Sequence, residues 1–291
     1  MTTEVTQRHM ILAYDGDCPM CIATVAWLQR AGLVTPEQAV SNHELSPDDL
    51  AAAQAAGIRN QLVVLDPNTR ATRTGADGLL WLVGENRGNP RWVRCFSLPV
   101  MRQLVRIVYE AVSYNRRILS PPRHQIRCEC EPQATIARRL TLVGPLAALS
   151  ALFVALCGAA VFHGQGYDAR LGAVLALSAT GAGWIVLAAA ALLMLRGEQR
   201  IDYLAHLVVT AFAGALVLLP AGIAAWWLPP LVSSALAGVS LLVACAILFR
   251  MQRRRIAAVG VSPHWLWAWA GTVAAGFVGA SLLGIGLGLL N

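Results

Sequence analysis

Cys18 and Cys21 stand three residues apart in the run Asp15-Gly16-Asp17-Cys18-Pro19-Met20-Cys21, which follows a short apolar stretch and precedes a long helical pattern. Two cysteines at that spacing, at a strand-to-helix junction, suit a dithiol that opens and closes a disulfide. The first lies where the free N–H groups and positive dipole end of a helix favour a thiolate. The second lies one turn further on, close enough to attack a mixed disulfide formed by the first. The spacing therefore points to redox chemistry with Cys18 and Cys21 as the reactive pair.

A second pair, Cys128-Glu129-Cys130, falls in a stretch after Pro121-Pro122. It is a possible redox partner of Cys18 and Cys21, and four thiolates together could hold Zn²⁺. Incidental surface thiols are the plainer alternative, because zinc sites prefer two to four residues between ligands. Cys95 has no visible partner and reads as a packed small hydrophobe. Cys157 and Cys245 fall in apolar segments without polar company and read as buried small residues, whereas His206 and His264, near the same ends of their spans, read as interfacial histidines, with a pair that ligates haem or a metal as the alternative. No cofactor-binding motif emerges.

The elements that must position the pair read as follows. Residues 9–14 form a buried strand. Cys18 to Ala31 forms a helix with Pro19 in its first turn, Gly32 as its stop, and Ile22, Val25, Ala26 and Leu28 on its apolar face. Ala39 to Leu45 is a second strand. Ser46-Pro47-Asp48-Asp49 opens a second helix that ends at Gly57. Gln61–Leu65 and Thr69–Thr74 flank a turn at Asp66-Pro67-Asn68 as a hairpin. A helix capped by Thr74 or Asp77 runs through Leu79, Leu80, Trp81 and Val83. The order β-α-β-α-β-β-α describes a small α/β domain. Beyond it, Pro99 to Asn115 is an amphipathic helix with Met101, Leu104, Val105, Val108 and Val112 on one face. That face fits either the small domain's sheet or an anionic lipid surface.

The 291 residues are 56% hydrophobic and only 13% charged, too apolar for an ordinary soluble protein. Residues 1–139 hold 16 Arg and 13 acids, whereas residues 140–291 hold 7 Arg and 3 acids, which marks the second half as a membrane domain. All 23 basic side chains are Arg, as mutational bias in a GC-rich genome explains. Five spans of roughly 20 residues are expected, at Leu140–Phe162, Leu171–Leu195, Leu204–Leu228, Leu231–Phe249 and Trp265–Leu290. Arg138, Arg139, Arg196, Arg200, Arg250 and Arg253–Arg255 fall on one side and Arg170 alone on the other. This distribution predicts a cytoplasmic N-terminus and an outside C-terminus. No signal peptide is evident at the N-terminus, which agrees. The seven cysteines are an odd count without framework spacing, against static disulfide stapling. The spans carry essentially no charge, against an ion pump, and the juxtamembrane placement of the excess Arg argues against nucleic-acid binding.

Tyr14-Asp15-Gly16-Asp17-Cys18-Pro19-Met20-Cys21, with Trp27-Leu28 in the following helix, resembles the signature of the DCC family of thiol-disulfide oxidoreductases. The likeness extends to Val63-Val64-Leu65-Asp66, to the Thr74–Leu82 stretch, and to Tyr109 and Tyr114-Asn115-Arg116-Arg117. It covers about residues 8–130 and leaves out the five spans. It implies a thioredoxin-like fold, Cys18 as attacking thiol and Cys21 as resolving thiol. Asp15 and Asp17 match the acids of the family motif. A carboxylate there can take the proton of the resolving cysteine, while its charge raises a thiol pKa against the helix dipole. Equally, Asp17 can simply cap the helix and Asp15 fix the turn.

One departure stands out. Thioredoxin-like enzymes usually place a cis-proline ahead of the third strand, and Arg59-Asn60-Gln61-Leu62 contains none. An Asp-x-Asp phosphatase is the other chemistry that this motif suggests, but it requires a later lysine and the chain has none.

The expected architecture is thus an α/β thioredoxin-like domain over residues 1–130 and a linker over 131–139. An all-α bundle of five transmembrane helices over 140–291 completes it. The expected function is a membrane-anchored oxidoreductase of the bacterial inner membrane, acting on protein or small-molecule disulfides in the reducing direction that a cytoplasmic site favours. A membrane scaffold or carrier with a cytoplasmic redox-sensing or interaction domain is the alternative.

Overall fold

The computed structural model describes residues 10–58, 61–121 and 135–286, and the chain divides into two compact units, Met1–Arg139 and Leu140–Asn291. The first unit runs β1 (Ile11–Tyr14), α1 (Pro19–Arg30), β2 (Ala39–Ser41), α2 (Pro47–Ala55), β3 (Val63–Leu65), β4 (Thr72–Thr74) and α3 (Gly75–Arg87). The sheet order is β2-β1-β3-β4. Strand β1 is parallel to β2 and antiparallel to β3, and β4 is antiparallel to β3.

Period-2 alternation sorts β1 and β3 between two cores. Leu12 and Val64, opposite one another, point toward Val25 and Leu28 of α1 and Leu82 of α3. Ala13 and Val63 point the other way, toward Ala53 of α2 and Ile58. Both central strands are therefore covered on both faces, which is why they read as apolar runs. Ser46 caps α2, its Oγ accepting the Asp49 N–H at 3.2 Å. Strand β2 is shorter than expected: after Ser41 the chain turns back, the Glu44 N–H donating to the Ser41 carbonyl. In α1 the inward residues are Cys21, Val25 and Leu28, while Ile22 faces out. Cys21 thus supplies the core contact in place of the expected Ile22.

Three further helices complete this unit: α4 (Arg91–Phe96), α5 (Pro99–Tyr114) and α6 (Arg116–Leu119). The short α4 and α6 were not anticipated, since one or two turns leave too few residues for a periodic signal. The apolar residues of α5 divide between two faces. Met101, Val105 and Val112 are half-buried with Tyr109, whereas Leu104 and Val108 are exposed. Asp77 of α3 sets that rotation by accepting hydrogen bonds from both Arg102 and Arg106 of α5. Although the partial burial of Asp77 opposes it, those bonds, Arg102 first, hold its carboxyl below the usual range.

The second unit is helical, with α7 (Ile136–Gly164), α8 (Ala169–Met194), α9 (Gly197–Ala225), α10 (Pro230–Val259) and α11 (His264–Gly286). Among the described residues four stretches, not the expected five, are long and apolar enough to cross a membrane: Ile136–Gly164, Ala169–Met194, Gln199–Ala225 and Pro230–Val259. Helix α11 covers most of the fifth expected span, whose end at 287–290 lies outside the described residues. Several helices outrun the expected spans because falling hydropathy does not itself end a helix. Helix α10 continues past Phe249 to Gly260, which has φ +72°. Arg255 on this extension is buried, its Nη1 2.8 Å from His206 Nδ1 of α9, and Thr210 donates to Gln252 Oε1 at 2.8 Å. These side-chain contacts join α9 to the part of α10 that lies beyond its apolar stretch.

Helix α3 rests on the hairpin through Gly78, where a Cβ would come within 2.7 Å of the Arg73 carbonyl oxygen and 3.2 Å of Val64 Cγ2. Gly78→Ala gains about 1 kcal/mol of helix propensity but overpacks a backbone contact at a cost of about 1–3 kcal/mol. The clash wins, so the first unit of the full chain should become more sensitive to limited proteolysis. Unchanged cleavage of that unit would show that the contact is not tight.

Candidate active site

Strand β1 ends at Tyr14 and the chain turns over Asp15-Gly16-Asp17 into α1. The turn is built by its own polar groups. Asp15 Oδ1 accepts the Asp17 N–H at 3.0 Å and the Asp15 carbonyl accepts the Cys18 N–H at 3.3 Å. The Gly16 N–H donates to Asn42 Oδ1 at 3.0 Å, tying the turn to the end of β2. Cys18 then takes the N-cap position of α1, with Pro19 in the first turn, and its Sγ accepts the Cys21 N–H at 3.4 Å. The cap is therefore Cys18 and not Asp17. Both thiols are free, and both are buried, at 6% and 8% exposure.

This geometry divides the two sulfurs. A hydrogen bond from the Cys21 thiol, and then the Cys21 N–H and the charge of Arg116, pull the Cys18 pKa down to about 6; burial and the charge of Asp15 push the other way. Cys21 moves oppositely. Donating its hydrogen to Cys18, and burial, raise its pKa above the ordinary thiol value. The opposite shifts favour the thiolate at Cys18 and the thiol at Cys21.

The cation comes from far along the chain. Arg116, in α6, places Nη2 3.0 Å from Asp15 Oδ2, and the two side chains are only 4% and 3% exposed. Two charges so deeply buried persist only when well paired, and here Asp15 binds both Arg116 and the turn. Asp17 differs, its half-exposed carboxylate meeting His43 Nε2 at 3.0 Å. Asp15, Asp17, Cys18, Pro19, Arg116, Arg117 and Ser120 line a shallow groove.

The backbone ahead of β3 is already engaged. The Leu62 N–H donates to the Tyr109 hydroxyl at 2.9 Å, and the Leu62 carbonyl accepts the Gly75 N–H at 2.8 Å. Gly75 has φ +59°, and a Cβ there would meet the Tyr109 ring at 2.9 Å, so glycine is needed on both counts. Burial pushes the Tyr109 hydroxyl up to about 12, which keeps it a neutral hydrogen-bonding group.

Of the residues singled out from the sequence, Cys18, Cys21 and Asp15 come together and Asp17 lies on the rim. Cys128 and Cys130 lie outside the described residues. Cys95 is exposed on α4 and not packed, because Val93 takes the buried position of that short helix. No group of three or more His, Cys, Asp or Glu side chains is gathered for a metal among the described residues. Sequence reasoning assigned no role to Arg116 or Tyr109. They were visible only as parts of a family-like segment, since a partner about a hundred residues away leaves no local periodicity.

Residues 12–120 match the model of the family described as DCC1-like thiol-disulfide oxidoreductase. No curated protein and no solved structure matches the chain.

The rate of Cys18 alkylation, followed by mass spectrometry in the full chain, should rise with pH through a midpoint near 6. Arg116→Met removes a charge that favours the thiolate, so the midpoint should move up, and Arg116→Lys should restore part of the shift. A midpoint unmoved by Arg116→Met in folded protein would separate Arg116 from the thiol.

Proposed function

We propose that the DCC1-like thiol-disulfide oxidoreductase domain at residues 12–120, of thioredoxin-like fold, reduces protein or small-molecule disulfides at the cytoplasmic face of a bacterial inner membrane. The helices that follow hold it to the bilayer. The observation that carries this reading is the pair of free, buried cysteines at the start of α1, where Cys18 Sγ caps the helix and accepts the Cys21 N–H, a geometry that favours the thiolate at Cys18. The strand order β2-β1-β3-β4, with its one parallel and two antiparallel pairings, supports the fold. The Arg-rich ends of α7, α9 and α10 support the orientation, with the N-terminus inside and α11 as a fifth span ending outside.

The reaction proceeds by two displacements. The Cys18 thiolate attacks one sulfur of the substrate disulfide, forming a Cys18–substrate disulfide and releasing the other sulfur as a thiolate. Formation of that bond removes the charge from Cys18 and with it the main reason that Cys21 keeps its proton. Cys21 then loses its proton and attacks Cys18 Sγ, expelling the second substrate sulfur. The substrate has gained two electrons and the domain holds a Cys18–Cys21 disulfide, which an external dithiol must reduce. Arg116 stabilises the Cys18 thiolate before attack and again as leaving group on return. Asp15 holds Arg116 and, with Asp17, is the candidate proton acceptor near the pair. Cys128 and Cys130 are the candidate dithiol within the chain. Because both backbone groups of Leu62 are engaged, substrate meets the groove along Arg116 and Arg117 and does not pair with that backbone.

In the full chain supplied with a dithiol reductant, Cys18→Ser should abolish reduction of an aromatic disulfide. Cys21→Ser should accumulate a mixed disulfide through Cys18, visible on non-reducing gels. Turnover that survives Cys18→Ser would sink the enzyme reading. A Cys18–Cys21 pair that changes state in cells only under oxidant stress would point instead to redox sensing.

A further inference from the structure

We propose that the outward face of α4 and α5 docks on the surface of an anionic lipid bilayer, independently of the thiol chemistry. Val100, Leu104, Ile107 and Val108 follow the i, i+4, i+7, i+8 spacing of one helical stripe, and their exposures are 80%, 52%, 54% and 56%. Trp92 on α4, 43% exposed, adds an aromatic of the kind that favours the headgroup level. An apolar stripe of this size on a helix is a docking surface and not the scatter of single exposed side chains found on any protein.

The stripe cannot turn inward. The opposite side of α5 is committed to the first unit through the Tyr109–Leu62 hydrogen bond and the two arginine bonds to Asp77. The surroundings identify the partner. Arg91 and Arg94 are exposed on α4 and form no ion pair among the described residues. Residues 87–139 carry 11 Arg against 3 Glu; with Arg102 and Arg106 held by Asp77 and Arg116 by Asp15, the other eight still outnumber the acids, a balance that suits anionic headgroups. The chain continues from Tyr114 to α7 at Ile136, so a bilayer is a partner that every copy meets. An exposed apolar stripe preceded, a few residues earlier in the chain, by exposed basic residues is the composition of a segment lying in the interface plane.

The test places a photo-reactive benzophenone side chain at position 107 of the full chain, with position 54 on the exposed surface of α2 as control. The protein is reconstituted in phosphatidylcholine vesicles with and without phosphatidylglycerol, irradiated, and analysed by mass spectrometry. Lipid adducts should form several-fold more at position 107 than at 54 and increase with phosphatidylglycerol. They should fall several-fold in Arg91→Glu/Arg94→Glu, while α-helical circular dichroism and Cys18 alkylation stay unchanged. A second label at position 104 guards against a local defect at 107 and should behave alike. Adducts to residues 140–291, adducts to a second copy, yields equal to the control, or yields indifferent to phosphatidylglycerol would each overturn the proposal. None of these outcomes touches the reactivity of Cys18, so the redox reading stands or falls separately.

Discussion

The buried pair between Arg116 and Asp15 is the constraint on which the candidate site around Cys18 and Cys21 depends. Asp15 is the first residue after β1, and its two oxygens have separate duties: one closes the turn through the Asp17 N–H, the other receives Arg116. Neither charge would be tolerated alone at 3% or 4% exposure. The pair therefore joins α6 to the turn that follows β1. It also delivers a fixed positive charge to the sulfur that caps α1. The carboxylate and the guanidinium act on Cys18 with opposite sign, and the hydrogen bonds from Cys21 decide the outcome in favour of the thiolate.

The same helical segment serves the other side of the site. Tyr109, almost two turns before Arg116, takes the Leu62 N–H and packs its ring on the bare α-carbon of Gly75. A neutral hydroxyl thus occupies the backbone donor ahead of β3. This links two features that look unrelated in the sequence, the missing proline in Arg59-Asn60-Gln61-Leu62 and the glycine after Thr74. Helices α5 and α6 are in consequence part of the site as well as an appendage to the sheet. Their contacts with Asp77, Leu62 and Asp15 also leave the stripe at Val100, Leu104, Ile107 and Val108 facing outward.

In the helical second unit, two described contacts between α9 and α10, Arg255 with His206 and Gln252 with Thr210, use residues of α10 beyond its apolar stretch. Arg255 lies beyond the hydropathic end of the fourth expected span, yet it is 4% exposed and meets His206 across α9 and α10. A hydropathy window marks where a chain leaves hydrocarbon. Helix α10 itself runs on to the left-handed Gly260.

Local chemistry was legible without coordinates wherever a signal is short-range. The Cys18–Cys21 spacing, Pro19 in the first turn, the Ser46 cap and the apolar runs at Ile11–Tyr14 and Val63–Leu65 all act over a few residues, so their types and order place β1, α1, α2 and β3. The basic and apolar segregation likewise marks the long helices from Ile136 onward, because bilayer thickness imposes a length that composition alone reveals. What folding alone decided is which distant side chains meet. Arg116 and Asp15 are separated by 101 positions, Tyr109 and Leu62 by 47, and no periodicity connects them. The inward turn of Cys21 in place of Ile22, and the division of the apolar residues of α5 between two faces, were also beyond reach. Each depends on how a helix is rotated against its neighbours, and that rotation is set by the sum of contacts in three dimensions.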